Sequence, residues 1–173
     1  MNWYILFVRS GKENKVMNLL RNWLDKEILR PFIPSKQKLF KTSGFVKREI
    51  NPLFPGYVFI ESEITEIEFI KNINKFIYAS SDIIRILKYS DTEIAMRENE
   101  KNILLRLCND DYCIGISKGI KCKDEIHIID GPLKGCESIV KKINRHKRQA
   151  WIEMEFMGDV RVMIVALEIL EKI

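Results

Sequence analysis

The apolar residues of this chain change their spacing once, near Leu107, and that change restricts the folds open to it. Before it, strand-like and helix-like spacings alternate. Trp3-Tyr4-Ile5-Leu6-Phe7-Val8 is an aromatic and β-branched run that reads as a buried first strand. Ser10-Gly11 interrupt it, and Val16, Leu19, Leu20, Trp23 and Leu24 then recur at the spacing of an amphipathic helix. Residues 30–51 hold Pro31, Pro34 and Gly44 and predict two irregular strands joined at Thr42-Ser43-Gly44. Phe54-Pro55-Gly56 turns directly into the apolar strand Tyr57-Val58-Phe59-Ile60. A helix over about 65–74, a strand over about 82–87 and a third helix starting near Asp91, its expected N-cap, complete this half.

Beyond Leu107 no helical stripe returns. Short strands are expected at 120–129, 137–143, 150–156, 160–165 and 167–170, broken by Asp130-Gly131-Pro132, by a basic run and by Gly158-Asp159. So many short strands in so few residues fit a small barrel, because closure removes the edges that a sheet of this size could not otherwise protect. The expected class is therefore an α+β N-terminal domain over 1–108, with an antiparallel sheet flanked by helices. A polar linker over 109–118 joins it to a small all-β five-stranded barrel over 119–173.

Composition narrows the functional classes. With 46% hydrophobic and 31% charged residues, the chain holds one good core or two small ones. It carries no apolar run near the length of a membrane span and no secretory h-region, so a cytoplasmic protein is expected. Cys108, Cys113, Cys122 and Cys136 form no CxxC pair, and His127 and His146 are the only histidines, so no metal and no cofactor is expected. No phosphate-binding loop, GxSxG or HExxH is present, and an enzyme is not expected.

Charge is distributed unevenly. The net charge is +5; residues 1–108 carry 18 Lys and Arg against 13 Asp and Glu, whereas residues 109–173 carry 11 of each. Yet the segment Lys141-Lys142-Ile143-Asn144-Arg145-His146-Lys147-Arg148 holds five fixed cations and no acid. Local segregation of this kind is what phosphate binding requires, since counterion release scales with the contacts made.

Several motifs in family order now carry a resemblance. Trp3-Tyr4 with Ser10-Gly11, Glu13 and Val16, then Ile33-Pro34, then Leu53-Phe54-Pro55-Gly56-Tyr57-Val58-Phe59 look like the N-terminal (NGN) domain of the NusG family of transcription elongation factors. Lys123-Asp124-Glu125-Ile126-His127-Ile128-Ile129-Asp130-Gly131-Pro132-Leu133-Lys134-Gly135, followed by Ile139-Val140 and Phe156-Met157-Gly158, looks like its KOW barrel. The resemblance implies an adaptor that binds the clamp helices of the largest subunit of bacterial RNA polymerase. Carried over by position, it assigns that contact to Phe54, Tyr57 and Phe59, with Tyr4 on the neighbouring strand.

The tail departs from the housekeeping pattern. Ser138 stands where a glycine is usual, and Met157 where the family places an aromatic residue that grips ribosomal protein S10 or Rho. The segment Glu68-Phe69-Ile70-Lys71 lacks the polar HTTT motif of the RfaH branch. These departures and the basic run make the chain most similar to the LoaP group of specialised antiterminators. That similarity implies an RNA hairpin in a nascent leader, held by Lys141, Lys142, Arg145, His146, Lys147 and Arg148, with Lys121, Lys123 and Arg161 at the rim. The non-template DNA strand or the opposite side of the polymerase is a further candidate partner for Lys12, Lys15 and Arg21 and for Lys36, Lys38, Lys41, Lys47 and Arg48. A monomer that acts as a processive antiterminator is expected. Housekeeping NusG with an S10- or Rho-binding tail, and a KOW RNA-binding protein that does not act on polymerase, are the alternatives.

Overall fold

The computed structural model describes residues 1–123 and 125–172, the side chains of Glu171 and Lys172 excepted; Asp124 of the tail motif and Ile173 lie outside the described residues. In chain order the first elements are β1 (Asn2–Val8), α1 (Glu13–Trp23), β2 (Leu29–Phe32), β3 (Ser35–Thr42), β4 (Phe45–Pro52), β5 (Tyr57–Ser62), α2 (Glu66–Ala79), β6 (Ile83–Ile86) and α3 (Glu98–Leu107). There follow β7 (Cys113–Ile114), β8 (Ser117–Cys122), β9 (Glu125–Asp130), a 3-10 turn at Glu137–Ile139, β10 (Val140–Asn144), β11 (Gln149–Phe156) and β12 (Asp159–Lys172). They form two compact units, one of residues 1–33 and 54–101, the other of residues 34–53 and 102–173.

In the first unit an antiparallel sheet is ordered β2-β5-β1-β6. Tyr4, Leu6 and Val8 of β1 and Val58 and Ile60 of β5 join Val16 and Leu20 of α1 and Phe69 and Ile73 of α2 in one core. Trp3, Ile5 and Phe59 point the other way and are equally buried. Burial on both faces is why β1 reads as an unbroken apolar run rather than an alternating one. Pro31 is tolerated because β2 lies at the sheet edge, where a missing N–H leaves no rung unpaired.

Two expectations for this unit are corrected. Helix α2 runs on to Ala79, because Phe76 and Ile77 extend its apolar stripe against the core. Its N-terminus is closed by a reciprocal capping box between Thr65 and Glu68. Helix α3 starts at Glu98 and not near Asp91. The backbone donors before it already have other partners: Ile94 and Ala95 N–H donate to Glu66 Oε1 at 3.1 and 3.0 Å, and Met96 N–H to Trp3 O at 2.7 Å. Asp91 pairs with Lys88 instead of capping a helix.

In the second unit a five-stranded sheet is ordered β10-β11-β12-β8-β9, and a three-stranded one β4-β3-β7. Residues 109–118 hold β7 and the start of β8. The parallel pairing of Ser35 and Lys36 with Cys113 and Ile114, and the 2.9 Å bond from Ser35 N–H to Tyr112 O, group the β3–β4 hairpin with this unit. The two final strands expected at 160–165 and 167–170 are one strand. It passes without a break from antiparallel pairing with β11 at Ala166 to parallel pairing with β8 at Leu167. Ser138 lies in the 3-10 turn, and β10 begins at Val140 rather than Glu137. Met157 and Gly158, at φ +52° and +83°, make the two-residue β11–β12 connection of the kind that matches strand twist.

Gly131 has φ +90°, and a Cβ there would meet Ile116 O and Ser117 Cα, both at 2.6 Å. Both obstacles are backbone. Gly131→Ala is therefore expected to destabilise the second unit by about 1–2 kcal/mol from the left-handed backbone alone, with the clash adding to it. A fall in the urea midpoint checks this.

Candidate functional site

The first candidate surface is set by β5–β1–β6 register. Phe7 lies opposite Tyr57 on one side and Arg85 on the other. The Phe7 and Tyr57 rings are 5.4 Å apart, and the Arg85 guanidinium lies 5.8 Å from the Phe7 centroid. Phe7 and Tyr57 are half-buried and Arg85 is exposed, so this row faces outward. Tyr57 is aimed by the preceding turn: Gly56 N–H donates to the buried Glu13 carboxylate at 2.6 Å, and Gly56 O accepts from Val8 N–H at 2.8 Å.

One row inward, Phe59 contacts Trp3, Phe32 and Phe54 with ring centroids 6.0, 5.4 and 5.9 Å away. Phe59 is 0% exposed and Phe54 6%. The expectation that Phe54 and Phe59 are themselves contact residues is thus corrected, since rings so enclosed have no face left to offer; they back the Tyr57 row. Tyr4 is corrected more fully. It points to the opposite, helix-covered face, stacks on Phe69 at 4.0 Å and donates its hydroxyl to Ile64 O at 2.8 Å. Burial raises the Tyr4 phenol above its ordinary range. Phe7 and Arg85 are not picked out from sequence as members of this surface, nor is the buried Glu13 as the group that holds its turn, although the period of two from Ile5 to Phe7 places Phe7 on this face.

The second candidate surface is the β10–β11 hairpin. Its turn spans Arg145–Arg148, closed by Arg148 N–H to Arg145 O at 3.2 Å and Lys147 N–H to Asn144 Oδ1 at 3.0 Å. Two of the six residues predicted to hold RNA are already engaged by acids: Lys141 lies 3.8 Å from Glu153, and Arg148 3.7 Å from Glu168. Among the described residues Lys142, Arg145, His146 and Lys147 have no acid within ion-pair distance. Lys142, Arg145 and Lys147 are therefore the fixed cations of the run without an acid partner, with the His146 imidazole beside them.

The expected rim does not assemble around them. Arg161 pairs in register with Met154, about 16 Å along β11 from the turn at ~3.3 Å per residue, and lies 5.9 Å from the Phe156 ring. Lys121 and Lys123 belong to β8 and its turn into β9, across β12 in the sheet order. Lys121, Lys123 and Arg161 are thus corrected as neighbours of the 141–148 run. Elsewhere, Lys15 is held by Asp82 at 2.6 Å, which lowers the Asp82 carboxyl, and Arg21 donates to Pro31 O at 3.4 Å. Among the described residues no three His, Cys, Asp or Glu side chains are grouped to hold a metal ion, and no helix is long and apolar enough to cross a membrane.

The molecule is therefore a two-unit protein whose distinctive surfaces are an aromatic strand row on an α+β unit and a cationic turn on a β-rich one. A family model described as transcription termination factor nusG matches residues 1–105. The transcription termination/antitermination protein NusG of Streptococcus pyogenes is 30% identical over 95% of this chain and 94% of its own length. The proteins of that name from Xylella fastidiosa and Haemophilus influenzae are 23% and 19% identical, over 90% and 99% of this chain and 90% and 94% of theirs. The chain belongs to the NusG family of transcription factors.

Proposed function

We propose that this chain is a processive antiterminator of the NusG family, of the LoaP kind. It binds the clamp helices of bacterial RNA polymerase through residues 1–108 and an RNA hairpin in a nascent leader through residues 119–173. The observation that carries the polymerase contact is the outward row Tyr57–Phe7–Arg85, an aromatic pair beside a guanidinium, the residue types that dominate protein interfaces. Lys142 on β10 and Arg145, His146 and Lys147 on the turn support the RNA contact, because fixed cations without acid partners, beside an imidazole, suit the backbone and shape of A-form RNA.

The protein acts as a cytoplasmic monomer, without cofactor or bond-making step. Holding the clamp favours the closed, pause-resistant state of polymerase, and the tether raises the effective concentration of the tail at emerging RNA. The β3–β4 hairpin suits the non-template DNA strand: Lys36, Lys38 and Lys47 share a face with Phe45, which is 73% exposed. Transcription through terminators by purified polymerase, on templates with and without a hairpin leader, tests the proposal. Readthrough that needs both the protein and the leader is expected; readthrough indifferent to the leader would contradict the RNA arm.

A further inference from the structure

The cations of the β10–β11 turn lead into an aromatic, apolar sheet face that phosphate binding does not explain. Lys142 lies opposite Trp151, which lies opposite Ile164, making one row across β10, β11 and β12. Trp151 is half-buried, and its indole carries the Lys142 ammonium 5.3 Å from the ring centroid. Along β12 the same face continues through Val162 and Val160, which are 57% and 63% exposed. Glu153 and Glu155 stand opposite these valines, with Lys141 against Glu153. The acid therefore lies toward the far end of the face, and the uncommitted positive charge lies at the Trp151 end.

Resting on the reading of the turn as an RNA contact, we propose that Trp151 is a stacking platform for an unpaired RNA base next to the stem that the turn holds. A base has a flat, weakly hydrated face and a phosphate attached within reach; Trp151 supplies the matching ring and Lys142 the matching charge. Stacking displaces the Lys142 ammonium from the indole. Its transfer to the adjoining phosphate exchanges a cation–π contact for an ion pair. Ile164 and Val162 extend the apolar floor under a second base without reading its identity. Glu153 and Glu155 repel a phosphate there, so the strand leaves the face rather than following β11. A rigid duplex offers no free base face to Trp151, and selectivity for stems with unpaired flanks or loops follows.

The test uses the full chain carrying Trp23→Phe, which leaves only the buried Trp3 and Trp151 as tryptophans. It is titrated with a leader hairpin bearing a single-stranded loop, and with a blunt duplex of equal length. Loop RNA should quench the Trp151 emission saturably and the duplex should not. Trp151→Leu should weaken loop-RNA binding by about 5- to 150-fold, the range that one stacked base gives, while leaving the salt dependence unchanged. Trp151→Phe, which keeps a ring, should retain most of the affinity. If Trp151→Leu lowers the melting temperature, the quench and the Trp151→Phe affinity decide. RNA bound without quench and without loss in Trp151→Leu overturns the stacking platform, leaves the basic turn standing, and returns this face to a protein partner or to none. Absence of any RNA binding by the parent chain overturns both.

Discussion

Phe59→Ala is expected to remove about 3–5 kcal/mol from the first unit and to lower its melting temperature by about 12 °C or more. Phe59 is fully enclosed and touches three other rings, so its loss leaves a cavity that Trp3, Phe32 and Phe54 cannot close without leaving their own contacts. Tyr57→Ala, two residues away on the same face, is expected to cost about 1 kcal/mol or less, because the ring is half-buried at the end of the row. Thermal unfolding followed by circular dichroism measures both. A small loss for Phe59→Ala would mean that the inner ring cluster is looser than its geometry and could itself reach a partner.

The second large effect concerns RNA. Arg145→Ser with Lys147→Ser should weaken hairpin binding by an order of magnitude or more at moderate salt. It should also reduce the slope of log affinity against log salt by about 1.5, since each lost phosphate contact removes about 0.7–0.9. Arg148→Ser should act differently. Arg148 has φ +52°, its carbonyl accepts from Leu167 N–H at 3.1 Å, and its guanidinium faces Glu168. Its replacement should lower stability and change the salt slope little. Binding isotherms at several salt concentrations separate the two. Equal slope changes from Arg148 and from the Arg145/Lys147 pair would mean that the Glu168 contact opens when RNA binds.

Most of the strands, the first helix, the start of the second and the turns were legible because periodicity and turn residues report local structure directly, whereas the end of α2 and the fusion of the last two strands into β12 were not. Other features depended on distant residues. The start of α3 depended on Glu66 and Trp3, distant in sequence, satisfying the N–H groups of 94–96. Membership of Cys113–Ile114 in a sheet with β3 involved two residues, too few for a period to appear. The roles of Tyr4 and Phe59 turned on which face of a doubly buried strand is covered, and on such a strand alternation carries no polarity signal. In the tail, the run 141–148 was visible as charge, but its commitment to Glu153 and Glu168 arises from cross-strand register and not from sequence proximity.

Comigration with purified bacterial core RNA polymerase in size-exclusion chromatography, compared between the parent chain and a Tyr57→Ala, Arg85→Ala double variant of unchanged melting temperature, tests the polymerase contact most directly. The parent should comigrate and the folded variant should elute free. Comigration of both, or of neither, would contradict the assignment of the Tyr57–Phe7–Arg85 row as the polymerase-binding surface.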